Sequence, residues 1–341
     1  IGKGYKKFVL GQGDILSILT DGAAWAVDKG FGFPHDLDRI EDRGRIPDAD
    51  PDQVSSRAVQ RGRDQVGTVG SGNHFIEIGR VDEVYDPVAA EELGLLHGTV
   101  TVFIHSGSRG LGYQVCDDYL DVMLKASRRY GIELPDKQLV CAPLDSPEAT
   151  SYLGAMRAAA NFAFANRQMM GHRVREAFEG VLGRTPADLE LELVYDVAHN
   201  IAKFETHPVA GRDTTLCVHR KGATRAFPPG HPEVGPVYQG LGQPVFIPGD
   251  MGRYSYVLLG TEGAYSETFG STCHGAGRRM SRRQAKKHAR SRKLRDEFEE
   301  LGLQVRASSF GTVAEEIPEA YKDVADVVDV VDKAGIGRKV A

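Results

Sequence analysis

The chain has few cysteines and only one tryptophan, and no apolar run approaches the roughly 20 residues that cross a bilayer. Its four cysteines, Cys116, Cys141, Cys217 and Cys273, form no Cys-x-x-Cys pair, which excludes a zinc ribbon and gives no sign of a disulfide framework. A reducing cytoplasm suits that usage. The first residues, Ile1 to Tyr5, lack the pattern of a signal peptide. There is no internal repeat and no low-complexity linker. Nor is there an excess of positive charge: the formal net charge is −5, so no global field draws in polyanions, and any contact with nucleic acid must come from local basic groups. What the chain does have is 341 residues, 41% of them hydrophobic, ample for a sizeable core.

The most informative segment runs from Ser271 to Arg282 and places one histidine, His274, in a loop of tiny residues (Gly275, Ala276, Gly277) ahead of arginines. Small neighbours let a bulky ligand approach the backbone, free amides cradle phosphate, and arginines supply fixed charge. Neutral imidazole is a nucleophile toward phosphorus. Taken alone, such a histidine is more often a hydrogen-bonded histidine in a Gly-rich turn. From Arg278 to Lys293 no acidic residue interrupts the basic run, so its first arginines are candidates for phosphate contact.

Three more histidines sit in defined settings. His74 opens Phe75-Ile76-Glu77-Ile78; His105 ends the apolar run from Val100 and precedes Ser106-Gly107-Ser108-Arg109-Gly110; His199 follows Leu191 to Asp196. Each lies at the end of a predicted strand, so side chains from distant parts of the chain can converge on one metal, although spacing alone does not require it.

Periodicity predicts a helix capped by Asp14 and ending near Gly30, a second helix start at Asp50-Pro51, and strands at 73–78, 98–105, 191–197, 214–220, 244–248 and 254–259. Helices are expected over 115–129, over 148–180, and from about Pro318 with Val324, Val327, Val328 and Val331 on one face. Candidate residues are drawn from the whole length, which predicts a single α+β domain over residues 1–341 with mixed β-sheets and surrounding helices.

Five segments in order (Gly70 to Ile78, His105 to Gly112, His199 to Lys203, Arg220 to Gly230 and the His274 loop) resemble the RtcB-type RNA ligases. The resemblance implies one globule with a central cleft. It also implies a reaction joining an RNA 3′-phosphate or 2′,3′-cyclic phosphate to a 5′-hydroxyl, with GTP and two manganese ions, in tRNA splicing or RNA repair. His274 matches the histidine that carries GMP, and His74, His105 and His199 match metal ligands. Asn73, Glu77, Asp250, Ser255, Ala276, Gly277 and Tyr321 match nucleotide contacts, with Asp250 standing where some relatives have serine. A carboxylate has the right chemistry to accept from guanine N1–H and N2–H₂, which suits Glu77. Arg109, Asn200 and Arg282 are the RNA-phosphate candidates, with Lys221 and Arg225 as further ones or as structural ion pairs. An archease-type activator is a possible partner of such an enzyme.

The family's Asp-x-Gly-Cys segment and terminal lysine have no counterpart here, so the sequence is expected to be part of a longer protein; a chain ending at these residues would have a weakened metal site. Two other readings stand beside the ligase: a metal-dependent phosphohydrolase, because three histidines and a phosphate loop also activate water, and a catalytically impaired RNA-binding paralogue or fragment.

Overall fold

In a computed structural model, residues 10–307 and 309–341 are described; Ile1 to Tyr5 lie outside them. In chain order the elements are α1 (Gln12–Asp21), α2 (Ala23–Asp28), α3 (Ser56–Arg63), β1 (Phe75–Arg80), α4 (Pro87–Leu93), β2 (Val100–His105), α5 (Arg109–Arg129) and α6 (Pro147–Leu182). There follow β3 (Asn200–Val209), β4 (Arg212–Lys221), β5 (Ala223–Arg225), β6 (Pro244–Ile247), β7 (Tyr256–Leu259), α7 (Glu262–Thr268), β8 (Ser271–Cys273), α8 (Arg282–His288), α9 (Leu294–Glu300), α10 (Phe310–Val313), α11 (Val324–Lys333) and β9 (Arg338–Lys339). Long helices and small antiparallel sheets make the fold class α+β. The contacts group the chain into two compact units, one of residues up to Gly70 with Ile104–Asp196, the other of Ser71–Phe103 with Val197–Ala341.

The first unit is helical around α6. Ser146 caps its first turn by accepting from the Ala149 amide, Pro147 occupies the first helical position, and Gly183 closes it at φ 65°. Buried Ala155, Ala158, Ala159 and Ala165 leave room for close approach, and Ile15, Ile18, Leu19, Trp25, Leu111, Val115, Phe162 and Met169 fill the core. Polar ties fix the loops: Asn161 Oδ1 accepts from the Ile46 amide at 2.7 Å while its Nδ2 donates to Leu19 O at 3.0 Å. Asp36, fully buried, takes both guanidinium nitrogens of Arg175 at 2.6 and 2.8 Å. The predicted helix from Asp14 to Gly30 is instead two helices, because Gly22 turns the chain at φ 57° and a Cβ there would lie 2.1 Å from Gly44 O. Asp14 acts from the first turn, accepting from the Gly11 amide at 2.9 Å.

The second unit carries its core between the β6–β7–β9 sheet and α11, whose Val324, Val328 and Val331 are buried with Val245, Ile247 and Leu258. That apolar stripe was legible, but the helix begins at Val324, capped by Asp323; Pro318–Ala320 forms only a 3₁₀ turn. Strand 191–197 does not form. Asp196 makes a single parallel bridge with Ile40, and its carboxylate is held by Arg167 Nε at 2.7 and 2.9 Å, so the segment finds no strand partner. The strand next to it is β3, which starts after His199 and pairs antiparallel with β4 from Asn200↔Lys221 to Val209↔Arg212. Ala210 and Gly211 join them, both at positive φ (51° and 77°), the two-residue hairpin geometry that follows strand twist.

Candidate active site

The hairpin accounts for one half of the site in the second unit. Because β3 and β4 pair to their ends, His199 emerges beside Lys221, and Gly222, at φ 75°, turns the chain from β4 into β5. Strand β5 pairs with β8, Ala223 opposite Cys273, so the residue after β8, His274, arrives at the same place. The rings of His199 and His274 stack with centroids 4.4 Å apart and planes 22° apart. A Cβ at position 222 would lie 3.5 Å from His274 Nε2; glycine leaves this edge of the imidazole open.

Underneath the hairpin a buried ion pair ties these strands to β8. Arg220 gives Nη1 and Nη2 to the two oxygens of Glu205 at 2.6 and 2.8 Å, Nε to Ser271 Oγ at 2.9 Å, and Nη2 to Phe269 O at 2.9 Å. His207 Nε2 lies 3.1 Å from the same carboxylate.

The glycine-rich loop is held from both sides. The Ala276 amide donates to Pro248 O at 3.1 Å; the Lys322 amide donates to Gly277 O at 2.9 Å; and the Arg279 amide donates to Ala320 O at 2.7 Å. Gly277 is exposed at φ 74°, with open space where a Cβ would stand. Those ties bring Asp250 and Tyr321 to the His274 loop. The start of β1 joins them: Ser255 donates to Glu77 Oε2 at 3.2 Å, Tyr321 Oη lies 3.5 Å from Asn73 Oδ1, and a Cβ on Gly72 would meet Arg282 Nη2 at 3.4 Å. Asn73, Glu77, Asp250, Ser255, His274, Ala276, Gly277, Arg282 and Tyr321 therefore share one unit, within which Glu77 is tied to Ser255 and Asn73 to Tyr321. His74 and His199 lie in that unit as well, and exposed Asn200 opens β3.

His105 and Arg109 belong to the first unit. Ser106, beside His105, donates to Val69 O at 2.8 Å and accepts from Asn166 Nδ2 at 3.1 Å. Arg109 opens α5 at φ 55°, an uncommon conformation for a residue with a side chain, and its Nε donates to Thr68 Oγ1 at 3.2 Å. Among the described residues, His35, Asp36 and Glu192 bring ligand atoms within 4.8 Å of one another. The Asp36 carboxylate is already committed to Arg175 and Gln168, which explains that cluster as an ion-pair network.

Burial, and then the charge of Lys221, push the His274 imidazole below its ordinary range, so the ring is neutral near pH 7. Burial pushes the adjacent Cys273 thiol up and keeps it protonated. Glu77 and Asp250 are both raised by burial, opposed at Glu77 by the Ser255 hydroxyl and at Asp250 by the Gly252 amide and Arg253. Asp250 Oδ2 is buried without a hydrogen bond among the described residues. Burial therefore disfavours the charged form of both carboxyls, the form that repels phosphate.

Two sequence candidates turn out to be structural. Arg225 is buried, giving Nε to Gln243 Oε1 at 3.0 Å and Nη1 to Glu233 Oε2 at 2.8 Å. Arg278, first of the basic run, is engaged all round: Nη1 to Glu316 at 2.5 Å and Tyr321 Oη at 3.0 Å, Nη2 to Glu315 O at 2.6 Å, Nε to Met280 O at 3.0 Å. Its guanidinium also lies over the Tyr321 ring, 4.9 Å from the centroid. Tyr321 in turn hydrogen-bonds Glu316, and burial followed by that carboxylate pushes its phenol well up. Glu316 and Glu315 escaped sequence reasoning because nothing local distinguishes them from surface carboxylates.

One pH effect follows from His274. Its folded-state pKa is depressed, so the stability tied to its neutral form is fully present above the unfolded value near 6.5 and is lost as pH falls through the folded value. Denaturant unfolding at stepped pH from 7.5 to 5 is expected to show a steeper loss of stability in the wild type than in His274→Gln. Parallel curves would refute the neutral buried imidazole.

The family described as tRNA-splicing ligase RtcB matches residues 2–341. The chain is 56% identical over 324 residues to a tRNA-splicing ligase RtcB of Thermococcus kodakarensis, covering 95% of this chain and 67% of that protein. It is also 56% identical over 327 residues to one of Pyrococcus abyssi (96% and 36%), and 49% identical over 335 residues to one of Methanococcus maripaludis (98% and 70%). The chain thus spans about two thirds of the Thermococcus relative and just over a third of the Pyrococcus one.

Proposed function

Because the chain belongs to the RtcB family, we propose that it ligates RNA, joining 3′-phosphate or 2′,3′-cyclic phosphate ends to 5′-hydroxyl ends through GMP carried on His274, in tRNA splicing or RNA repair. The observation that carries this reading is His274 stacked on His199 beside a glycine loop, with burial holding its imidazole below the ordinary range. A phosphomonoester has a poor leaving group, so its phosphate must first be activated. The imidazole lone pair attacks the α-phosphorus of GTP, the bond to pyrophosphate breaks, and GMP passes from nitrogen to the RNA 3′-phosphate. The 5′-hydroxyl then attacks the activated terminus and GMP leaves. Glu77, steadied by Ser255, accepts from guanine; Asn73, Asp250 and Tyr321 border the nucleotide; the backbone at Ala276 and Gly277 cradles phosphate.

Metal ligation by His74, His105 and His199 belongs to the same proposal. Imidazole nitrogens suit first-row dications, and the His199 ring is stacked on His274. Two manganese ions, when bound, supply positive charge to phosphate oxygens. Arg109, Asn200 and Arg282 contact RNA phosphate in this reading, the site of action is the cytoplasm, and an archease-type protein is a candidate activator. Among the described residues no helix is long and apolar enough to cross a membrane.

Incubation with α-labelled GTP and Mn²⁺, then denaturing electrophoresis in neutral and acidic gels, is expected to show an acid-labile label on the chain. An unlabelled chain that nonetheless hydrolyses phosphate esters would replace the ligase with a phosphohydrolase.

A further inference from the structure

The basic run after the His274 loop divides into two faces, and only one is neutralised within the protein. On the inward flank of α8, Arg282 reaches Glu316 at 3.3 Å and Glu315 at 3.6 Å, and Lys286 reaches Glu315 at 2.6 Å. Beyond the helix, Arg292 pairs with Glu297 at 2.5 Å and Glu319 at 2.9 Å. Lys286 and Arg292, with Arg278, fasten the run to the segment from Glu315 to Tyr321, while the Arg282 side chain stays more than half exposed.

The opposite face is set by the buried Ala285 and Ala289, which turn Arg283 and Lys287 outward, since side chains two residues apart on a helix point to nearly opposite sides. Arg279 before the helix and Arg290 after it are exposed too. Among the described residues none of these four cations has an ion pair. Of the four, Arg283 and Lys287 stand one turn apart within α8, about 5–6 Å at i, i+4 spacing, suited to successive charges along one strand, and Arg279 and Arg290 flank that helix. Four uncompensated cations on a chain of net charge −5 mark a local site for a polyanion.

We infer that Arg279, Arg283, Lys287 and Arg290 form a track for the phosphate backbone of a single RNA strand whose end is processed at His274. The inference rests on the ligase reading for its choice of RNA. It separates two roles that the sequence merges: Arg278, Lys286 and Arg292 hold the loop in place, and the outward row binds substrate without regard to base sequence.

The test compares the wild type, R283E/K287E/R290E and the charge-preserving R283K/R290K. Each is titrated with a short fluorescent single-stranded RNA bearing a 3′-phosphate, over a salt series, and each is assayed for GMP uptake and thermal midpoint. The triple reversal is expected to lose about tenfold or more in RNA affinity at low salt, and its log–log salt slope is expected to flatten by about 2, from three contacts at roughly 0.7 each. R283K/R290K should track the wild type, and GMP uptake and midpoint should be unchanged in both variants. Equal affinity and slope in the triple variant, a wild type that binds no RNA, or a loss accompanied by a lowered midpoint overturns the track. A wild type that takes up no GMP yet loses RNA binding in the triple variant would defeat the ligase reading and leave the track standing.

Discussion

His274→Ala is expected to lose ligation by on the order of 10³-fold or more while keeping its fold, and to take up no GMP at all. The size follows from chemistry. In the proposed reaction, without a nitrogen nucleophile the guanylate would have nowhere to reside and the RNA phosphate would keep its poor leaving group. Removing the ring also forfeits its stack on His199, on the order of 1 kcal/mol, which a stable domain tolerates. Pre-guanylylated RNA separates the roles: the variant should still seal an end that already carries GMP. If His274→Ala retains acid-labile label on the chain, the nucleophile is another residue.

Arg220→Ala is expected to cost about 3–5 kcal/mol of unfolding free energy, because it leaves the Glu205 carboxylate buried without its cation. Burial on its own raises the Glu205 pKa, but the hydrogen bonds and charge of Arg220 outweigh it and hold the group low. The pair therefore stabilises the fold above the ordinary carboxylate range near 4.3 and ceases to do so as pH falls through the depressed folded value. In Arg220→Ala that acid-side loss should vanish, since the depression vanishes with its cause. Arg220 also ties β4 to Ser271 and Phe269, directly ahead of His274, so ligation should weaken even where the variant stays folded. R220M/E205L, which removes both charges and keeps volume, should recover most of the stability. A cost below about 1 kcal/mol in Arg220→Ala, read from chemical denaturation, would show that the pair does not organise the hairpin.

How much of this was open to sequence reasoning depended on whether the signal was local. The long helix over 148–180 appears as α6, because a cap, a proline and a run of small and apolar residues lie within the segment itself. The strand expected at 191–197 failed because apolar alternation does not supply a partner, and β3 was overlooked because its polar residues Lys203, Glu205 and His207 are buried, Glu205 against Arg220 of β4 and His207 among Phe227, Tyr265 and Phe269. Arg225 could not be told from a phosphate ligand until Gln243 and Glu233 were seen around it.

By itself the sequence determined which chemistry is available: a histidine among glycines, three further imidazoles at ends of apolar runs, and a band of positive charge, each written within a dozen residues. Tertiary structure alone decided which charges remain for a ligand. Glu315, Glu316 and Glu319 fold back on Arg278, Lys286 and Arg292, and burial, followed by Lys221, holds the His274 imidazole below its ordinary range. Charge and protonation depend on distance and desolvation, which a linear pattern of residues does not contain.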